Sequence, residues 1–144
     1  MKINLDFETD FPQKHTCDGQ DISPHIKFTG IPENTDNIAL VIDDPDAPGQ
    51  IFDHWVIWNI TESELPENIP QKETLNGMKQ GKNDFGEIGF RGPCPPGERH
   101  AYRIKAYALE SKLGLPPGIS KKQLENEIED HVIDSEIIKK EYSR

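Results

Sequence analysis

Three short clusters of ionisable residues hold the groups able to do chemistry in this chain. Asp44 and Asp46 lie in D-D-P-D-A-P. Asp53 and His54 stand at the head of H-W-V-I-W-N-I. Glu98, His100 and Tyr102 form the third cluster, entered through a Gly92-Pro93 turn. Carboxylates, imidazoles and a phenol can move protons, ligate metals or hydrogen-bond an anion. Nucleophilic catalysis fits poorly, because no G-x-S-x-G elbow is present and no serine falls in any cluster. A Cys94–His100 pair has to be weighed, but Cys94 sits between prolines in G-P-C-P-P with only Arg91 and Arg99 as nearby cations. A metal site from Asp44, Asp46, His54 and His100 is chemically reasonable, yet no H-x-H or H-x-x-E-H spacing supports it. The expectation is therefore no metal, no cofactor and no catalysis.

Each cluster also has an ordinary structural reading. D-P-D-A-P makes a good turn whose aspartates cap backbone amides. His54 beside Trp55 reads as a hydrogen-bonded core histidine, and H-A-Y is short enough to arise by chance. The two tryptophans read as core, and the acidic run Glu125 to Asp130 as a solvated helix face. Parity favours function. Asp44, His54, His100 and Tyr102 each fall where a strand meets a loop, and the last two share a face.

The elements that must position these residues are mostly strands. Ile38–Asp44 alternates, with Ile38, Leu40, Ile42 and Asp44 on one face. His54–Ile60 is almost wholly apolar or aromatic, as in a strand covered on both sides. Ala101–Glu110 alternates again, with Tyr102, Ile104, Ala106 and Ala108 together and His100 sharing their parity. The N-terminal part reads as loops and short strands, and Thr61 to Asn83 as a polar excursion over the surface. Ser120 and Gln123 make a capping box. Leu124, Ile128 and Val132, extended by His131 and Ile138, then predict one or two amphipathic C-terminal helices.

At 144 residues the chain is long enough to bury a core as one domain, 1–144. Only 33% is hydrophobic and 29% is charged, but the apolar residues gather in alternating runs, which argues for a folded, loop-rich domain over disorder. A formal net charge of −10 disfavours nucleic acid and anionic membrane surfaces. No apolar run is long enough to span a bilayer, and Met1 to Asp10 has no apolar signal core, so a cytoplasmic location is expected. Cys17 and Cys94 are far apart and in no C-x-x-C pair. A disulfide between them is not decidable from sequence, and two buried free thiols are the preferred reading in a cytoplasmic chain.

Taken together, the segments resemble the phosphatidylethanolamine-binding protein family, also called the Raf kinase inhibitor protein family, in its short prokaryotic branch. The resembling segments are Cys17–Pro24 (C-D-G-Q-D-I-S-P), Asp43–Pro48, His54–Ile60, Gly89–Gly97 (G-F-R-G-P-C-P-P-G), His100–Ile104 and the ending Glu129–Glu136. Each is short; their shared order makes the set specific. The resemblance implies a Greek-key fold of two antiparallel β-sheets with one or two short C-terminal helices. It also implies a cavity for phosphate or a phospholipid head group. The family's aspartates fall on Asp44 and Asp46, its strand histidine on His54, and the glycine whose amide faces the anion on Gly92, followed by Pro93. Its later histidine and tyrosine fall on His100 and Tyr102. Two departures stand out: Phe52 and Asp53 replace the aromatic and histidine of longer members, and the loop after Pro48 is short.

The reading is a binding module for a small anion, or for a phosphorylated or acidic side chain. Its implied role is regulatory, as an inhibitor of a kinase or a protease. The ligand is held by the Gly92 amide, the Tyr102 hydroxyl and a histidine N–H. Two ionised aspartates would repel an anion, so one must be protonated or engaged by a histidine. The alternatives are a serine-protease inhibitor acting through a surface loop, and a metal- or histidine-dependent hydrolase. A homodimer stays open.

Overall fold

The computed structural model covers residues 1–144. Nine strands and one α-helix follow in order: β1 (Lys2–Leu5), β2 (Ile26–Thr29), β3 (Asn37–Asp44), β4 (Phe52–Ile60), β5 (Glu64–Leu65), β6 (Thr74–Leu75), β7 (Met78–Gln80), β8 (His100–Leu109), α1 (Lys121–Ile128) and β9 (Val132–Tyr142). They make two antiparallel sheets. One has three strands in the order β1-β2-β5; the other has six in the order β6-β7-β4-β3-β8-β9. Strands β3, β4 and β7 lie side by side, and β8 returns beside β3, which is the 4-1-2-3 order of a Greek key.

Strands β3, β4 and β8 sit where their patterns predict. All of β3 is buried, and β4 is buried from His54 onward. Alternate residues divide between two cores. Ile38, Leu40, Ile42, Trp55, Ile57 and Ile104 pack between the sheets, with Ile3, Ile26 and Phe28 opposite. Ala39, Val41, Val56 and Trp58 face the other way, onto Leu124 and Ile128 of α1. The six-stranded sheet is thus covered on both sides, and this explains why β4 lacks a polar face.

Three expectations need correction. The C-terminal stripe is not a second helix. α1 begins at Ser120 with the full capping box but stops after Ile128, and Val132–Tyr142 pairs along β8, with Ile138 opposite Ile104. A spacing of four is also an even number, so Leu124, Ile128 and Val132 satisfy both periods. The β-branched Val132, Ile133, Ile137 and Ile138 settle the competition in favour of strand. Secondly, the excursion Thr61 to Asn83 contains three short strands. Asn76 and Gly77, both at positive φ, close a two-residue hairpin between β6 and β7. Thirdly, Cys17 and Cys94 are not free thiols; they form a disulfide.

Candidate functional site

Antiparallel order brings the end of β3 to the starts of β4 and β8. Asp44, His54, His100 and Tyr102 therefore meet at one end of the sheet. They line a cavity of about 180 Å³. The other walls are apolar: Ala47 and Pro48 after β3, Phe52 on β4, Phe85, and Pro95 and Pro96 before β8. Cys94 completes the lining. Phe85 is 39% exposed and packs edge-on against Phe52, so a hydrophobic lip borders a polar floor.

The floor is held by specific hydrogen bonds. His100 Nδ1 donates to Asp44 Oδ2 at 2.7 Å, and the Asp46 amide donates to Asp44 Oδ1 at 2.8 Å. Asp46 accepts from the Ala101 amide at 2.8 Å. Both aspartates are thus engaged by protein donors. His54 Nδ1 donates to the Arg91 carbonyl at 2.7 Å, while the Arg91 amide donates back to the His54 carbonyl at 3.2 Å. With Nδ1 protonated in both rings, Nε2 is a lone pair in the neutral form and a donor only in the imidazolium. Burial pushes His54 below the ordinary histidine pKa, against the opposing pull of the Arg91 carbonyl and Asp44. Tyr102 stands between the imidazoles, edge-on to His54 with ring centroids 5.4 Å apart and tilted to His100 at 6.2 Å. Its hydroxyl is buried with no hydrogen-bond partner; the Cys94 backbone comes near without a good bonding geometry. Burial, then Asp44 and Asp46, push this phenol well above its usual pKa, so it is an O–H donor at any physiological pH.

Most of the wall before β8 is fixed from outside the cavity. Cys17 is bonded to Cys94, and the Cys17 amide donates to the Pro93 carbonyl at 3.2 Å. Asp21, in the left-handed region at φ 60°, accepts from the Gly92 amide at 2.7 Å and from Arg91 Nε at 2.6 Å. This explains the segment Cys17–Pro24: it clamps the Arg91–Pro96 loop. Gly92 is needed for close approach, since a Cβ there would fall 1.9 Å from the His15 carbonyl oxygen. Gly92→Ala is accordingly expected to lower stability by about 2 kcal/mol. Chemical unfolding checks this, and an unchanged midpoint would show that the loop yields freely.

The expected residues therefore divide. Asp44, His54, His100 and Tyr102 come together at the cavity. Asp46, Gly92 and Pro93 do not reach its wall: Asp46 is exposed and bonded to the Ala101 amide, and the Gly92 amide is spent on Asp21. His54 pairs with Arg91 and not with Asp44. Glu98 is exposed, and Asp53 turns away to Lys121. Arg91 stacks over Phe85 and pairs with Asp21 and Glu87, while Arg99 pairs with Asp10 and Glu141, so neither guanidinium lines the cavity. Phe85, Pro95 and Pro96 line the cavity and Asp21 holds its wall, positions that local patterns did not single out. Cys94, being disulfide-bonded, offers no thiolate.

Comparison with known proteins agrees with this architecture. A family model described as Phosphatidylethanolamine-binding protein matches residues 4–143. A UPF0098 protein of Pyrococcus horikoshii is 46% identical over 128 residues, covering 85% of this chain and 65% of that protein. The chain thus spans just under two thirds of that relative's length. A UPF0098 protein of Aquifex aeolicus is 48% identical over 121 residues, covering 81% of this chain and 71% of its own. Among solved structures, a putative phosphatidylethanolamine-binding protein homolog from Chlamydia trachomatis, CT736, superposes with a TM-score of 0.89 at 30% identity, covering 99% of this chain and 96% of that one. E. coli YbcL, described as a member of the mammalian PEBP family, gives a TM-score of 0.89 at 29% identity, covering 99% and 98%. The ordered motifs, the two-sheet fold and these matches agree: the chain belongs to the phosphatidylethanolamine-binding protein family, in its short prokaryotic branch.

Proposed function

We propose that the cavity binds a small anionic group, either free or carried on a phospholipid head or a phosphorylated or acidic side chain, and that the protein acts as a regulatory binding module without chemistry of its own. The observation that carries this reading is the buried, unpaired Tyr102 hydroxyl set between two imidazoles. A buried donor without an acceptor costs roughly 1–3 kcal/mol, and an anionic oxygen would remove that cost. The engagement of both aspartates leaves less carboxylate charge facing a ligand. The lack of a thiolate or a nearby serine supports a binding role over hydrolysis. The kinase or protease that such a module would regulate is part of the proposal, suggested by the family. No helix is long and apolar enough to cross a membrane. A cytoplasmic setting remains the proposal; the disulfide is compatible with it in a hyperthermophile's cytoplasm, and otherwise favours an oxidising compartment.

Calorimetry with sulfate, which does not titrate near neutrality, tests the site. Affinity is expected to rise as pH falls. His54 has a folded pKa below 6.5, so at neutral pH its Nε2 offers a lone pair to the anion. Protonation below 6.5 converts that position to a donor, and bound anion draws the proton in. Without anion the same depressed pKa makes the fold lose stability as pH drops below 6.5 towards the folded value; His15, also lowered mainly by burial, adds in the same sense. Tyr102→Phe should weaken sulfate about fivefold to tenfold while leaving the melting temperature unchanged or raised, because the deleted hydroxyl has no partner in the free protein. Affinity flat in pH, together with full affinity in Tyr102→Phe, would remove the reading.

A further inference from the structure

The same three strands build a second polar cavity at their opposite ends. Asn37 opens β3, Asn59 lies near the end of β4 with Thr61 just beyond it, and Lys112 follows β8. With Asp36 and the Asn76-Gly77 turn they enclose about 190 Å³, and none of the seven lining residues is hydrophobic. Asn37 and Asp44 are seven residue steps apart along β3, so this cavity lies about 23 Å from the first.

Two of the side chains that line it are buried, polar and incompletely paired. Asn59 is only 4% exposed, and both its Nδ2 and Oδ1 are buried without a hydrogen-bond partner. Asn37 is 2% exposed; its Nδ2 donates to Asp36 and to the Ser111 carbonyl, but its Oδ1 has no partner. A backbone reason exists for an asparagine at 59. Ile38 pairs with Ile60 and Leu40 with Ile57, so two residues of β4 oppose Ala39, and Asn59 takes φ 59° in the resulting bulge. That reason does not account for the side chain. Glycine would meet the backbone demand with no amide to bury.

We propose that this cavity binds a small, uncharged polyhydroxylated molecule, a sugar or polyol, through the side-chain amides of Asn59 and Asn37. The unpaired atoms include an N–H₂ donor and two carbonyl acceptors. A hydroxyl both donates and accepts, so neighbouring hydroxyls satisfy the adjacent oxygen and nitrogen of one amide. Asp36 and Lys112 at the rim are of opposite sign, so neither anion nor cation is selected. The absence of apolar lining disfavours acyl chains and aromatic rings. Thr61 and Asn76 also border a larger groove with Leu65, Ile69, Leu75 and Met78, which gives the less polar face of such a ligand a place to lie.

Nitrogen-edited NMR of the side-chain amides of Asn37, Asn59 and Asn76 tests this. Glycerol, myo-inositol, ribose, glucose and galactose are titrated to about 100 mM, enough to reveal millimolar binding. At least one probe is expected to give saturable shifts at these amides and none at the His54 and His100 rings. Asn59→Gly preserves the left-handed backbone and should weaken that probe at least tenfold. If Asn59→Gly does not fold, Asn59→Asp, which keeps the shape and loses the donor, should still weaken it several-fold. No saturable shift with any probe, undiminished shifts in both variants, or slowly exchanging water as the only neighbour of Asn59 would each overturn the proposal.

Discussion

Reducing the Cys17–Cys94 bridge is expected to cost about 4 kcal/mol of stability, a fall on the order of 10 °C in melting temperature, and to loosen the wall of the anion cavity. The two cysteines are 77 positions apart, so the bridge closes a long loop and strongly restricts the unfolded chain. In the folded state it joins two segments that lie outside the sheets, and Cys94 is itself part of the cavity lining. The Asp21 bonds to Gly92 and Arg91 remain after reduction, so the loop should loosen without detaching. Thermal unfolding with and without reductant, and of Cys17→Ala, gives the cost; sulfate titration of the same samples gives the effect on the site. Cys17→Ala also frees the Cys94 thiol near His100. Turnover of an ester by that variant would revive the cysteine-hydrolase alternative, and none is expected. A reduced protein melting within about 1 °C of the oxidised one would show that the strands alone set the stability.

The parts of the fold that were legible in the sequence are those where one period dominates. β3, β4 and β8 alternate or run apolar over eight to ten residues, and their ends could be located from D-P-D-A-P, H-W and H-A-Y. Strand ends meet in an antiparallel sheet, so Asp44, His54, His100 and Tyr102 could be gathered from their strand-end positions, which the resemblance also marks. The failures are long-range. Nothing local says that Asp21 will take the Gly92 amide 71 positions away, or that Cys17 will reach Cys94. The resemblance implies a ligand contact at Gly92, whereas the structure spends its amide on Asp21 and constrains it by the close approach of the His15 carbonyl. The four-residue spacing in β9 satisfies both periods, so the helical reading competes until its β-branched residues and its place beside β8 decide for strand.

Asp43 shows how a one-residue difference in a strand separates site from scaffold, and its removal is the second large effect expected. Asp43 and Asp44 are adjacent and point to opposite faces of β3. Asp44 meets His100 in the cavity. Asp43, fully buried, accepts from Arg103 Nε at 2.7 Å and Nη2 at 2.9 Å and from Lys121 Nζ at 2.9 Å, with Lys105 Nζ at 3.4 Å. Lys121 also reaches Asp53 at 2.7 Å, and Lys105 reaches Glu125 at 2.9 Å, so the carboxylate ties β3, β4 and β8 to α1. Burial alone would raise the Asp43 pKa; the hydrogen bonds from Arg103 and Lys121 outweigh it and hold the group below 3.8. Its contribution is therefore complete above about 3.8 and is lost as pH falls through the lower folded value. Asp43→Ala leaves three cations facing a hole and should cost about 3–5 kcal/mol at neutral pH, with little relief from added salt because the pair is shielded from solvent. Asp44→Ala strands one imidazole and one amide at the cavity and should cost clearly less, while altering sulfate binding. Denaturant unfolding of both variants decides the matter. Equal costs, or a cost for Asp43→Ala that disappears in high salt, would mean that the network is a surface feature and not the clamp that holds the site's strands in place.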